Sequence, residues 1–130
     1  MTMPHERTRS LRWGWELLSA IAEDAEVDES IKRDAALIGA TYPPPGLITQ
    51  LIEADVPGLP PAGAQSIGAA AVLFNKVRLN RQGTEGTRKH LTFTLRHFPA
   101  FTDMRLMGSQ LAHFRITDWL LQEDWYDRRE

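Results

Sequence analysis

The sequence contains no cysteine. Disulfides, thiolate metal sites and a cysteine nucleophile are excluded, and nothing in the composition calls for an oxidising compartment. Long hydrophobic runs are missing too. The longest, "IGAAAVLF" from Ile67 to Phe74, falls well short of the roughly 20 residues that span a bilayer. The opening carries His5, Glu6, Arg7, Arg9 and Arg12 without an apolar stretch, which is unlike a secretory signal. A cytoplasmic protein with no membrane partner is therefore expected. Excess positive charge is also absent: the net charge is -2 and the pI about 6.1, so any attraction to a polyanion has to be local.

What remains is ordinary globular composition, 42% hydrophobic and 25% charged, in 130 residues. That is one domain, 1–130, with room for a single core. Pro4 suits a first helical turn, and Leu11, Trp15, Leu18 and Ala22 follow at helical spacing, which predicts a helix over about 4–23. Trp13 and Trp15, two apart, cannot both face the core of that helix squarely. The acidic run Glu23, Asp24, Glu26, Asp28 and Glu29 opposes a helix C-terminus and favours a new N-terminus near Asp28. Ile31, Ala35, Ile38 and Tyr42 then form one stripe, ended by "PPPG".

A short amphipathic segment follows at 47–54. Residues 55–66, rich in proline and glycine, are expected to form a turn-rich internal connection and a possible hinge. Ile67, Ala70, Ala71, Phe74 and Val77 mark the core helix, stopped near Gly83. In "HLTFTLRHFP", a helix starting at Thr84 is favoured, with a short strand near 90–95 as the alternative. Two further helices are expected. One runs from Thr102 or Asp103 to about 114, with Met104, Met107, Leu111 and Phe114; the other starts at Thr117 or Asp118, with Leu120, Leu121 and Trp125. The predicted fold is all-α, a compact bundle of five to six helices, with α+β as the alternative.

Catalytic patterns are weak. His90 and His97, seven apart, lack the three- or four-residue spacing and nearby carboxylate of metal-binding helices, and "HERTR" is not His-Glu-x-x-His. No serine lies in Gly-x-Ser-x-Gly, and "GTEGTRK" lacks the order of a phosphate loop. The carboxylate pairs Glu23/Asp24 and Glu123/Asp124 sit in polar sequence, where nothing is expected to separate their pKa values. No cofactor, no metal and no enzymatic activity are predicted.

Charge distribution is more informative. Lys76, Arg78, Arg81, Arg88, Lys89 and Arg96 lie within 22 residues that hold one acid, Glu85, and are interleaved with Phe93 and two histidines. They are a candidate partner-binding basic surface. Glu123, Asp124, Trp125, Tyr126 and Asp127 form a second, acidic-aromatic candidate at the C-terminus, since tryptophan and tyrosine are favoured interface anchors. The Glu-x-Thr-Arg core occurs twice, at Glu6, Thr8, Arg9 and at Glu85, Thr87, Arg88, and reads as two similar helix starts.

The opening "MTMPHERTR", an acidic turn, and a second helix ending in Tyr42-Pro43 resemble a family of short uncharacterised bacterial proteins. That family has an N-terminal Met-x-Pro-x-Glu-Arg-Thr-Arg signature and an Arg-His-Tyr-Pro-like end to its second helix. The resemblance covers the first third of the chain. Here "GAT" precedes Tyr42, whereas "LRHFP" stands later, at Leu95 to Pro99. It implies a bacterial or mobile-element origin and no particular chemistry.

Together these features lead to the expectation of a small non-enzymatic protein that binds another protein or protein complex. An inhibitor carried by a phage or mobile element, of the anti-CRISPR kind, is its concrete form. The alternative is a DNA-binding transcriptional regulator that uses the basic 76–97 segment, with Arg7, Arg9 and Arg12 on phosphates.

Overall fold

A computed structural model describes residues 2–101, 103–104 and 115–123. The described residues are mainly helical and include no strand, which makes the fold all-α. Helix α1 spans Pro4–Glu23, α2 Glu29–Thr41, α3 Pro45–Ala54, α4 Pro61–Leu79 and α5 Glu85–Leu95. Among the described residues, the bundle itself is built from four of these, α1, α2, α4 and α5, in place of the expected five to six. The ten-residue α3 is confined between the prolines at its start and the left-handed Asp55 (φ 49°) at its end, and it adds Ile48 and Ile52 to the core.

Helix α1 starts as its sequence predicts. Pro4 occupies the first turn, and the Met3 N–H donates to Glu6 Oε1 at 2.8 Å. Its buried face carries Leu11, Leu17, Leu18 and Ile21. Neither nearby tryptophan belongs to that face: Trp13 is half-buried and Trp15 exposed. Helix α2 buries Ile31 and Ala35, and Tyr42 closes its end as a buried residue.

Helix α4 begins six residues earlier than its apolar stripe indicates. Pro61 sits at its N-terminus, where a fixed φ and a missing N–H cost nothing, so residues 61–66 are helical and the internal connection shrinks to 55–60. That connection is tied to the rest of the fold. Leu59 is buried in the core, and the Val56 carbonyl accepts the Ile116 N–H at 3.0 Å. Helix α5 excludes a strand at 90–95. Thr84 caps it by accepting the Thr87 N–H, and Thr87, Leu91 and Thr94 are buried at helical spacing. Of the two late helices expected, the second is corrected: Ile116–Asp118 is a single 3-10 turn, with Leu120 and Leu121 following in non-helical backbone. In the first, Met104 is helical and buried, while Met107, Leu111 and Phe114 lie outside the described residues, as does Trp125.

One hydrophobic cluster runs through all these elements, with Phe74 at 0% exposure among Leu11, Leu17, Ile67, Val77 and Leu91. Each fully buried side chain of this size contributes roughly 1.5–3 kcal/mol relative to exposure. Phe74 meets Phe98 edge-on, with centroids 5.2 Å apart and planes at 71°. The two aromatic-proline pairs, Tyr42-Pro43 and Phe98-Pro99, converge on α1 at one glycine. A Cβ on Gly14 would lie 2.6 Å from Phe98 Cε1 and 2.7 Å from Tyr42 Oη. Tyr42 Oη donates to the Leu11 carbonyl at 2.7 Å, and burial pushes its phenol pKa well above the usual value, so it stays a donor.

Candidate functional site

The turn between α1 and α2 is locked to the turn between α4 and α5 by a buried carboxylate. Asp24 accepts from the Glu26 N–H (2.8 Å), the Thr84 N–H (2.9 Å), Thr84 Oγ1 (3.1 Å) and Thr87 Oγ1 (2.6 Å). Burial raises its pKa, but these hydrogen bonds outweigh burial and bring it down to about 2. Polar sequence therefore gave the wrong expectation for Asp24: its environment is buried and strongly perturbing, in the direction that keeps it an anion. Asp28 and Gln82 add a reciprocal pair, Asp28 N–H to Gln82 Oε1 at 2.9 Å and Gln82 Nε2 to Asp28 Oδ2 at 2.8 Å.

This lock decides how the basic segment is laid out. Lys76, Arg78, Arg81, Arg88, Lys89 and Arg96 are all exposed. Lys76 and Arg78 occupy the last turn of α4, where cations favour the helix dipole, and Arg78 donates to Asn75 Oδ1 at 3.0 Å. Arg81, in a left-handed conformation (φ 52°), precedes the Gln82–Gly83 stretch bonded to Asp28 and Glu26, so the acidic turn borders this end. At 1.5 Å per residue, α5 separates that end from Arg96 by roughly 16 Å. Lys89 pairs with Glu85 at 3.4 Å, while Arg88 and Arg96 form no ion pair among the described residues.

Arg96 belongs to a different neighbourhood. Together with Glu6, Arg9, Trp13, Phe93 and His97 it lines a cleft of about 170 Å³ between α1 and α5. Lys89, Phe93 and Arg96, spaced four and three apart, share the solvent stripe of α5, and the Phe93 ring is 52% exposed. From α1, the guanidinium carbons of Arg9 and Arg12 each lie 6.0 Å from the centre of the Trp13 ring, at the outer limit of cation–π attraction. His97 fixes the floor: its Nε2 is 3.1 Å from Glu6 Oε2, its Nδ1 is 3.1 Å from Thr2 Oγ1, and its carbonyl accepts from Ser10 Oγ at 3.2 Å. The Met3 N–H, followed by nearby positive charge, holds the Glu6 pKa below the usual carboxylate value, so Glu6 is an anion here. His90 is not in the lining of this cleft. Burial lowers its pKa, opposed by Glu16 and a hydrogen bond with the Trp13 backbone.

The acidic-aromatic C-terminal set divides at the edge of the described residues. Glu123 is engaged within the chain, accepting from Arg12 Nε and Nη2 at 2.8 Å each, with Arg9 Nε at 3.6 Å. That contact is the leading cause of the raised Arg12 pKa. Asp124, Trp125, Tyr126 and Asp127 lie outside the described residues. Arg7 is committed as well: it donates to the Trp119 carbonyl at 2.7 Å, with its guanidinium 5.1 Å from the Trp119 ring centre. Two of the three arginines proposed as phosphate contacts, Arg7 and Arg12, thus hold the C-terminal part of the fold against α1.

Arg96 stands out in the sequence as part of the basic segment, whereas Arg9 and Trp13 do not stand out as its neighbours. The available signal was Trp13, half-buried on α1, with arginines one and four residues before it. Among the described residues, no helix is long and apolar enough to cross a membrane, and no three potential ligands gather as a metal site would require. No family model, no curated protein and no solved structure matches the chain.

Proposed function

We propose that this protein works by binding another protein, without catalysis, and that the α1–α5 cleft is the contact site. The observation that carries the reading is the exposed Phe93 ring in one cleft with Trp13, Arg9 and Arg96. An aromatic side chain left half in water contributes little to its own fold, while aromatic and arginine side chains are the commonest anchors of protein interfaces. Several groups able to move protons have structural occupations: Asp24 holds two turns together, His97 pairs with Glu6, and Glu123 pairs with Arg12. An inhibitor carried by a phage or mobile element is one form of this reading and would use the same surface to occlude its target.

Cross-linking and affinity capture in the native host test the proposal. A partner retained by the wild type and lost with Phe93→Ala/Arg96→Glu is expected; failure to capture any protein would remove the reading. DNA binding is the second reading, motivated by the exposed Arg88 and Arg96. It requires an affinity that falls steeply with salt, by several powers of ten for about 6–10 phosphate contacts between 50 and 200 mM salt.

A further inference from the structure

We infer that the α1–α5 cleft takes a short acidic peptide segment of the partner, with one aromatic side chain inserted between Trp13 and Phe93 and carboxylates on Arg96 and Arg9. This rests on the protein-binding reading and names the chemistry of its ligand. Arg96 is exposed and forms no ion pair among the described residues, so all five of its N–H donors are open to a carboxylate. Arg9 approaches Glu123 at 3.6 Å, too long for a hydrogen bond, whereas Arg12 closes on the same carboxylate with two contacts at 2.8 Å. Arg9 is thus the looser of the two partners of Glu123 and the one placed to turn to a second anion.

The same cleft, of about 170 Å³, holds the Trp13 and Phe93 rings and is of a size for one inserted side chain. Two guanidinium groups in its lining suit an aromatic residue flanked by acids, because bidentate Arg–carboxylate pairs add direction as well as attraction. A nucleic acid fits less well. Its phosphates recur every few ångströms along each strand, and a continuous run would be brought against Glu6, Glu16 and Glu123 around the same helix. A peptide can place its charges at Arg9 and Arg96 alone.

The test is fluorescence anisotropy of the full chain with a labelled peptide of sequence Ser-Asp-Phe-Asp-Ser. Saturable binding is expected, weakened roughly tenfold or more by Arg96→Glu and by Phe93→Ala, as for interface hot spots, and unchanged by Lys76→Glu at the far end of the basic segment. A control peptide with Lys in place of every acid should not bind. No binding up to about 1 mM, or equal losses in Lys76→Glu and Arg96→Glu, would overturn the site. So would stronger competition by a single-stranded oligonucleotide of equal charge, which would indicate a nucleic-acid ligand. The capture experiment separates the two levels: a host protein held equally by wild type and Phe93→Ala/Arg96→Glu keeps protein binding and removes this cleft.

Discussion

Asp24 shows how much one residue can carry. Its four hydrogen-bond donors come from Glu26 on its own turn and from Thr84 and Thr87, 60 and 63 residues away. Its folded pKa, about 2, lies below the roughly 3.9 of an unfolded aspartate. The linked stability is therefore complete above about pH 5 and is lost as pH falls through about 2. Asp24→Asn should cost on the order of 2 kcal/mol at pH 7 in urea unfolding, with the difference from wild type closing towards pH 2. Gly14 sets a second test. Its missing Cβ makes room for Phe98 and Tyr42, so Gly14→Ala should lower stability by about 1–3 kcal/mol despite the better helix propensity of alanine. Thr94 points the other way. It is fully buried, and its hydroxyl finds no hydrogen-bond partner among the described residues, so the isosteric Thr94→Val should raise stability by about 1 kcal/mol, read as a higher urea midpoint.

At the scale of elements, the two Glu-x-Thr-Arg copies are helix starts put to different uses. In α1, Glu6 takes the Met3 N–H and Thr8 Oγ1 donates back to the Pro4 carbonyl at 3.1 Å. In α5, the threonine reaches across the fold to Asp24. Thr84 both caps α5 and bonds Asp24, so Thr84→Ala should cost about 1–2 kcal/mol. Combined with Asp24→Asn, the loss should be clearly less than the sum of the single losses, because the two changes remove the same bond. Helix starts were legible where a proline or a capping residue stands directly before the apolar pattern, as at Pro4 and Thr84. They were misread at Pro61, because the first turn of α4 reads Pro-Ala-Gly-Ala and its composition resembles a turn. The strand alternative at 90–95 arose because Leu91, Phe93 and Leu95 alternate with threonines. The fold uses Leu91 and Thr94 as the buried positions and leaves Phe93 in water.

At the scale of the molecule, packing and the candidate surface fall on different residues. Phe93 and Arg96 are exposed and stand outside the hydrophobic core, so Phe93→Ala/Arg96→Ala should leave the thermal midpoint within a few degrees of wild type while abolishing partner capture. A large drop in midpoint would assign the pair to the fold instead. The basic segment, continuous in sequence, is divided by α5 into an end bordered by the acidic turn and an end that opens onto α1.

By itself, the sequence determined the all-α class, the single core and most helix positions, because helical periodicity, prolines and capping residues are local signals. Tertiary structure alone decided which charges are free. Whether an arginine meets solvent, a tryptophan carbonyl or a glutamate depends on residues about 110 positions away, as with Arg7 on Trp119 and Arg12 on Glu123. The same long-range packing sets the burial of Asp24 and places Arg9 and Trp13 beside Phe93 and Arg96, since no spacing along the chain encodes which faces of two distant helices will meet.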